Sequence, residues 1–298
     1  MYKNLSSDLL GITGRQSEII ELALTYGFNG IDIDIRDLCK RCERTSFESA
    51  ARFLTSSKLN VGGFSAPIDL DADDETFAKE LAQLHAAAEI AGRAQANVAI
   101  LEVPCQTDRL PYPEYFDVIR KRIADVAAVF AKEEVKTAIT FNPIKDGEKQ
   151  FPFIQDTQGF VALATSCNDV GIVFDSWAWF CGKGTVEQLE QIGLERVFAA
   201  RICDCVEGVS AEAATLDDCT LPATTGVIDA APYLQKFVEA NLEIPVSARG
   251  SLTITGGKRD AFIGTTQESL DKVFVEAGLP SSIRKPDMFS EPSYANNQ

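Results

Sequence analysis

The residues of this chain best suited to chemistry sit at the ends of short β-rich runs. Asp175 opens Asp175-Ser176-Trp177-Ala178-Trp179, Arg201 and Asp204 lie in Ala200-Arg201-Ile202-Cys203-Asp204, and Arg249 ends Val246-Ser247-Ala248-Arg249. A planar guanidinium grips carboxylate or phosphate through two parallel N–H bonds, so Arg201 and Arg249, with Thr140, Asn142 and Lys183, read as a pocket for an anion. The other reading pairs the two arginines with Asp175 and Asp204, because charges withdrawn from water are kept in pairs. Trp177 and Trp179 either stack on sugar C–H groups or pack. Ser6, Asp8, Asp34, Arg36, Glu102 and Asp108 also fall near strand ends, with Glu102 the preferred acid for moving a proton.

The cysteines offer different chemistry. Cys39 and Cys42 form a C-x-x-C, and Cys105, Cys181, Cys203, Cys205 and Cys219 all follow strand candidates. Thiolates there could bind zinc or do thiol chemistry, yet one C-x-x-C without a second spaced pair is a weak signal and free cysteine is commonly a small buried hydrophobe. The one histidine, His85, falls inside a helical pattern and reads as a helix-surface or packing residue.

Positioning these residues requires a repeated framework. Strand candidates run over Lys3 to Leu9, Gly30 to Ile35, Asn60 to Ala66, Asn97 to Val103, Thr137 to Asn142, Val170 to Asp175, Arg196 to Ile202 and Ile244 to Ala248, each bounded by turn chemistry. Helical patterns alternate with them. The clearest carry Phe77, Leu81, Leu84, Ala88 and Ala91, then Tyr115, Ile119, Ile123, Val126 and Phe130; shorter ones are expected at Ser17 to Tyr26, Ser46 to Ser57, Phe160 to Ser166, Val186 to Ile192, Ala231 to Ala240 and Gln267 to Ala277. Eight strand–helix units predict a single α/β domain, a (β/α)8 TIM barrel over residues 1–280, with 281–298 a Pro-, Ser- and Asn-rich tail. No Gly-x-Gly-x-x-Gly follows a strand, which argues against a dinucleotide-binding open sheet. In such a barrel, chemistry belongs at the C-terminal strand ends.

Composition narrows the partners. With 44 acidic against 28 basic residues the formal charge is −16, which repels a phosphate backbone, so nucleic acid is not an expected partner. No run is long and apolar enough for a membrane span, and the first residues lack the apolar block of a signal peptide. The expectation is a cytoplasmic protein with reduced thiols and no membrane partner.

Leu5-Ser6-Ser7-Asp8, Tyr26-Gly27-Phe28-Asn29-Gly30-Ile31-Asp32, Phe174 through Trp179, and Thr225-Gly226-Val227-Ile228-Asp229 resemble xylose isomerase-like barrels. That resemblance, which runs through nearly the whole chain, implies sugar isomerase or epimerase chemistry. One divalent cation, Mn2+ or Mg2+, would be held by Glu, Asp, His and Glu from strands five to eight and would stabilise an enediolate. Matched strand by strand, those four places fall at Thr140, Asp175, Arg201 and Arg249, so one ligand in four remains, and the family's substrate-facing His falls at Ala178. A guanidinium repels a nearby cation. The first expectation is therefore a divergent barrel, a pseudoenzyme for metal-dependent isomerisation, that binds a small polar or anionic ligand without a cofactor. The alternatives are an active sugar isomerase with a metal site rebuilt on Asp175, Asp204 and Glu102 or with no metal, Cys-bound zinc, and an interaction protein with a filled mouth. A homodimer is implied only by analogy with the family.

Overall fold

The computed structural model describes residues 1–145, 147–251 and 258–284. Its core is a curled parallel sheet of nine strand segments. They are β1 (Tyr2–Leu5), β2 (Gly30–Ile31), β3 in two halves (Asn60–Val61 and Phe64–Ser65), β4 (Val98–Val103), β5 (Lys136–Phe141), β6 (Gly171–Asp175), β7 (Val197–Ile202) and β8 (Pro245–Ala248). The sheet order begins with the first half of β3 and ends with the second. Both sheet edges thus belong to one strand, which pairs with β2 through Gly30↔Asn60 and with β4 through Ser65↔Ile100. The sheet closes into a TIM barrel, and Gly62 and Gly63 form the joint between the halves.

The principal helices are α1 (Gln16–Thr25), α2 (Ile35–Arg44), α3 (Asp74–Arg93), α4 (Tyr112–Ala131), α5 (Thr157–Ser166), α6 (Ser176–Cys181), α7 (Val186–Ile192), α8 (Ala231–Glu239) and α9 (Arg259–Glu276). Pattern reading places most of them. It misses α2 (IRDLCKRCER), whose narrow apolar stripe of Ile35, Leu38, Cys39 and Cys42 faces the core; the Asp37 N–H donates to the capping Asp34 carboxylate (3.0 Å), and the Arg41–Asp37 pair (2.9 Å) adds support. The strand expected through Ile35 accordingly stops at Ile31. It also misses α6, where Asp175 caps the chain as it leaves β6. The expected tail, 281–298, lies outside the described residues from 285 onward.

Side chains alternate along each strand, and the packing shows which parity points inward. Val98, Ile100, Ala138, Val173 and Ala199 form a buried cluster of their own, separate from the large one beneath the helices. That small cluster is the barrel interior. One pleat further toward the C-terminal ends, the same parity brings Glu102, Thr140, Asp175 and Arg201 over it. On the other strands Leu5, Ile31, Val246 and Ala248 belong to the outer core, so Asn4, Asp32, Ser247 and Arg249 turn inward. A ring of polar side chains therefore caps an apolar barrel floor.

Candidate functional site

Asp175 and Arg249 form an ion pair across the mouth, and the Asp175 carboxylate is buried. Its other oxygen accepts the Trp177 N–H at 3.0 Å, the cap of α6. The Arg249 backbone N–H donates to the Ile202 carbonyl at 2.8 Å, which fixes the base of the arginine, while its Nε is buried without a hydrogen-bond partner among the described residues. Arg201 is in register with Asp175 on one side and Ser247 on the other. Burial pulls its pKa down, Asp175 opposes this, and Arg249 adds to it; Asp32 and Glu102 also oppose it. A guanidinium stays protonated under all these influences. Among the described residues no carboxylate forms an ion pair with Arg201.

Two acids flank it. Asp32 accepts from Asn4 Nδ2 at 2.7 Å, and the same nitrogen reaches Ser247 Oγ at 2.9 Å. Burial holds the Asp32 pKa above the ordinary carboxylate value, against the opposing influence of Ser6, Arg201 and Asn4. Sequence reasoning passed over Asp32 as a site residue, although strand parity after Ile31 marks it. Glu102 lies in register with Thr140, is exposed at the mouth, and has no partner among the described residues. Thr140 is buried, and its hydroxyl has no hydrogen-bond partner among the described residues. A cavity of about 370 Å³ is lined by Asp8, Ser65, Glu102, Arg201, Asp217 and Arg249, among others. It meets a second of about 580 Å³, lined in part by Asn142, Lys145 and Lys149, at Glu102 and Leu216. Asn142 Oδ1 accepts the Ile144 N–H at 3.2 Å.

Other expected site residues sit elsewhere. Asp204 is fully buried and pairs with no arginine among the described residues. Its oxygens accept the backbone N–H groups of Cys205, Thr224, Thr225, Gly226 and Ile228 at 2.7–3.0 Å. Burial pushes its pKa up, but those N–H groups together outweigh that and hold it below the ordinary value. Trp179 is enclosed by Phe141, Phe160 and Phe174, and its indole donates to the Thr185 carbonyl at 3.2 Å. Trp177 is 1% exposed, packed on Cys203, Cys205 and Cys219, and its indole nitrogen has no acceptor among the described residues. Neither ring faces the mouth as a stacking surface. Lys183 pairs with Glu212 at 2.6 Å on the surface rather than joining the arginines.

The thiols are all free, and none is activated among those with a clear shift. Burial pushes Cys181 up to about 12 and Cys39 to about 11, and it raises Cys203 well above the ordinary thiol value. Cys39 and Cys42 lie on α2 and pack against the outer core. His85 is exposed on α3, away from the mouth. Among the described residues no group of three or more His, Cys, Asp or Glu side chains is disposed to hold a metal ion, and no helix is long and apolar enough to cross a membrane.

No curated protein sequence matches this chain significantly. Solved structures do share its fold. A xylose isomerase domain protein from Alicyclobacillus acidocaldarius superposes with a TM-score of 0.81 at 21% identity, over 93% of this chain and 99% of that one. The IolI protein with a bound zinc atom gives 0.79 at 15%, over the same shares of the two chains. D-psicose 3-epimerase from Clostridium cellulolyticum H10, solved with D-tagatose, gives 0.71 at 11%, again over 93% and 99%. At these identities the likeness speaks for the fold alone. A family profile for the xylose isomerase-like TIM barrel matches residues 20–250. With the closed sheet, the polar ring at its C-terminal end and a profile match over most of the chain, this protein belongs to the xylose isomerase-like TIM-barrel family.

Proposed function

We propose that the barrel mouth binds a small hydroxylated carboxylate, sugar-like in character, and that Arg201 supplies the positive charge that a cation supplies in the family's sugar isomerases. The observation that carries this is Arg201 itself, inward-facing and without an ion-pair partner among the described residues, while Arg249 beside it is held by Asp175. A partly desolvated charge costs several kcal/mol unless something meets it, and a carboxylate matches the guanidinium fork. Glu102, which lines the same cavity, then stands where ligand hydroxyl groups can donate to it.

A divalent cation does not fit the donors present. Asp175 has one oxygen on Arg249 and the other on the Trp177 N–H. A dication ~4 Å from one guanidinium meets a repulsion of about 8 kcal/mol at an effective dielectric of 20. The rebuilt site on Asp175, Asp204 and Glu102 also loses Asp204, whose oxygens serve backbone amides. Metal-dependent isomerisation is therefore not the activity we assign, and the cysteines around Trp177 are read as core rather than as a zinc site. One feature favours a second reading, a metal-free proton transfer. Burial keeps Asp32 above the ordinary carboxylate value, Glu102 is a further acid near Arg201 besides the ion-paired Asp175, and an acid–base pair beside a positive charge suits a carbon acid next to a carboxylate. The open cavities at the mouth argue against a filled barrel that serves only as a scaffold. Eight free thiols agree with a reducing, cytoplasmic setting.

Calorimetric titration of gluconate and of glucose, each with and without millimolar MnCl2, tests the reading. Gluconate should bind, glucose should bind at least tenfold more weakly or not at all, Arg201→Gln should weaken gluconate about tenfold or more, and Mn2+ should change nothing. Equal binding of glucose and gluconate, or Mn2+ binding that depends on Asp175, would refute it.

A further inference from the structure

The second cavity, beyond Glu102, is not explained by a monoanion held at Arg201. Its walls are built. Gln106–Thr107 pairs antiparallel with Phe151–Pro152, Gln106 Nε2 donates to the Gly147 carbonyl at 3.0 Å, and the Lys149 N–H donates to Gln106 Oε1 at 3.3 Å. The Phe153 N–H reaches the Cys105 carbonyl at 2.8 Å, and Lys149 Nζ is spent on Asp71 at 2.7 Å. The segment that carries Asn142 and Lys145 is thereby bound to the continuation of β4.

Two donors in this lobe are left over. Lys145 is exposed and forms no ion pair among the described residues, and its charge is felt by the Cys105 thiol in the cavity lining. Asn142 spends its oxygen on the Ile144 N–H, which leaves its Nδ2 hydrogens free. Glu102 is the one acid among the described residues lining the lobe, and it also lines the cavity that holds Arg201. In a chain with 44 acidic and 28 basic residues, an unpaired lysine over such a cavity marks a local reversal of sign.

We infer that the ligand is an open-chain polyhydroxy acid with a second anionic group at its far end, a phosphorylated sugar acid, its carboxylate on Arg201, its hydroxyl groups passing Glu102, and its phosphate in the lobe of Asn142 and Lys145. The inference rests on the mouth reading for its carboxylate end. The assignment of ends follows from charge shape: a planar fork suits a carboxylate, whereas a hydrated ammonium at an open rim suits a phosphate as a point charge.

The test is calorimetric titration of the whole protein with 6-phosphogluconate, gluconate and glucose 6-phosphate, using wild type, Lys145→Ala, Lys145→Arg and Arg201→Gln, with thermal melts to confirm folding. 6-Phosphogluconate should bind about tenfold or more tightly than gluconate. Lys145→Ala should erase that advantage and change gluconate binding less than about twofold, Lys145→Arg should restore most of it, and Arg201→Gln should weaken both acids. If gluconate binds through Arg201 and the phosphate adds nothing, the two-ended ligand is overturned while the mouth reading stands. If glucose 6-phosphate binds through Lys145 and Arg201→Gln changes nothing, both fall, as they do if no probe binds. Equal weakening of all three ligands by Lys145→Ala would reduce the lysine to a general field and overturn the subsite.

Discussion

Replacing Asp204 by Asn keeps the side chain's shape and removes its charge and one acceptor oxygen. In the native protein Oδ2 accepts from Thr224 (3.0 Å), Thr225 (2.7 Å) and Gly226 (2.7 Å), and Oδ1 accepts from Cys205 (2.8 Å) and Ile228 (2.9 Å). The carboxamide must turn its NH2 toward one of these sets, and the less damaging choice faces it toward Cys205 and Ile228. Two buried N–H groups then lose their acceptor at about 1–3 kcal/mol each, and the other three lose charge assistance. The expected destabilisation is about 3–5 kcal/mol, a large share of the 5–15 kcal/mol typical of a domain, and at ~2–4 °C per kcal/mol the melting temperature falls by about 10 °C. The pH dependence has a definite sign. A folded pKa held below its unfolded value contributes stability that is complete above the unfolded value and is lost as the pH falls through the folded one. The gap between wild type and Asp204→Asn is thus constant above about pH 4 and narrows below it. Urea unfolding at pH 7 and down to pH 3 measures both. A gap under about 1 kcal/mol at pH 7, or one that does not narrow in acid, would refute the argument.

Arg249→Met strands the Asp175 carboxylate, which is 4% exposed, and should cost about 3 kcal/mol in urea unfolding; adding Asp175→Asn should recover part of it, with a coupling of about 1–3 kcal/mol. Strict additivity of the two changes would mean that the pair is not coupled. The triple change Thr140→Glu, Arg201→His and Arg249→Glu places metal-ligand types beside Asp175 and should create Mn2+ binding that calorimetry detects and that wild type lacks; its absence in a folded triple variant would mean that the four positions do not converge. Because burial raises the thiols of Cys39, Cys42, Cys105, Cys167, Cys181, Cys203 and Cys205, a disulfide reagent at pH 8 should label the folded protein slowly and all eight cysteines after denaturation. A fast phase of several thiols in the native protein would contradict this.

Period-two alternation made much of the mouth legible in the sequence. Once β4 to β7 are recognised as strands, the parity that buries Ile100, Ala138, Val173 and Ala199 necessarily turns Glu102, Thr140, Asp175 and Arg201 inward. Side chains whose partners are distant in sequence were not legible. Asp204 stands in the same run as Arg201 and looked like its counter-ion, but its partners are amides about twenty residues downstream that only the folded loop brings to it. Trp177 and Trp179, just beyond the strand expected to end at Asp175, read equally as stacking rings and as packing. Asp175 starts a helix there, and residues two apart on a helix diverge, so one ring meets the cysteines and the other the phenylalanines. Helix α2 escaped because its stripe of Ile35, Leu38, Cys39 and Cys42 is narrow, set among charged residues, and begins inside a run that read as a strand.

Gly62, at the joint of β3, constrains how this barrel can change over generations. An added Cβ there would overlap the Asn4 carboxamide, the group that donates to both Asp32 and Ser247. Positions 4, 32 and 62 therefore form an epistatic set. A larger residue at 62 is admissible only in a lineage that has already shortened Asn4, and shortening Asn4 first withdraws a hydrogen bond from Asp32 before anything replaces it. The order of substitutions is thus restricted on this side of the mouth.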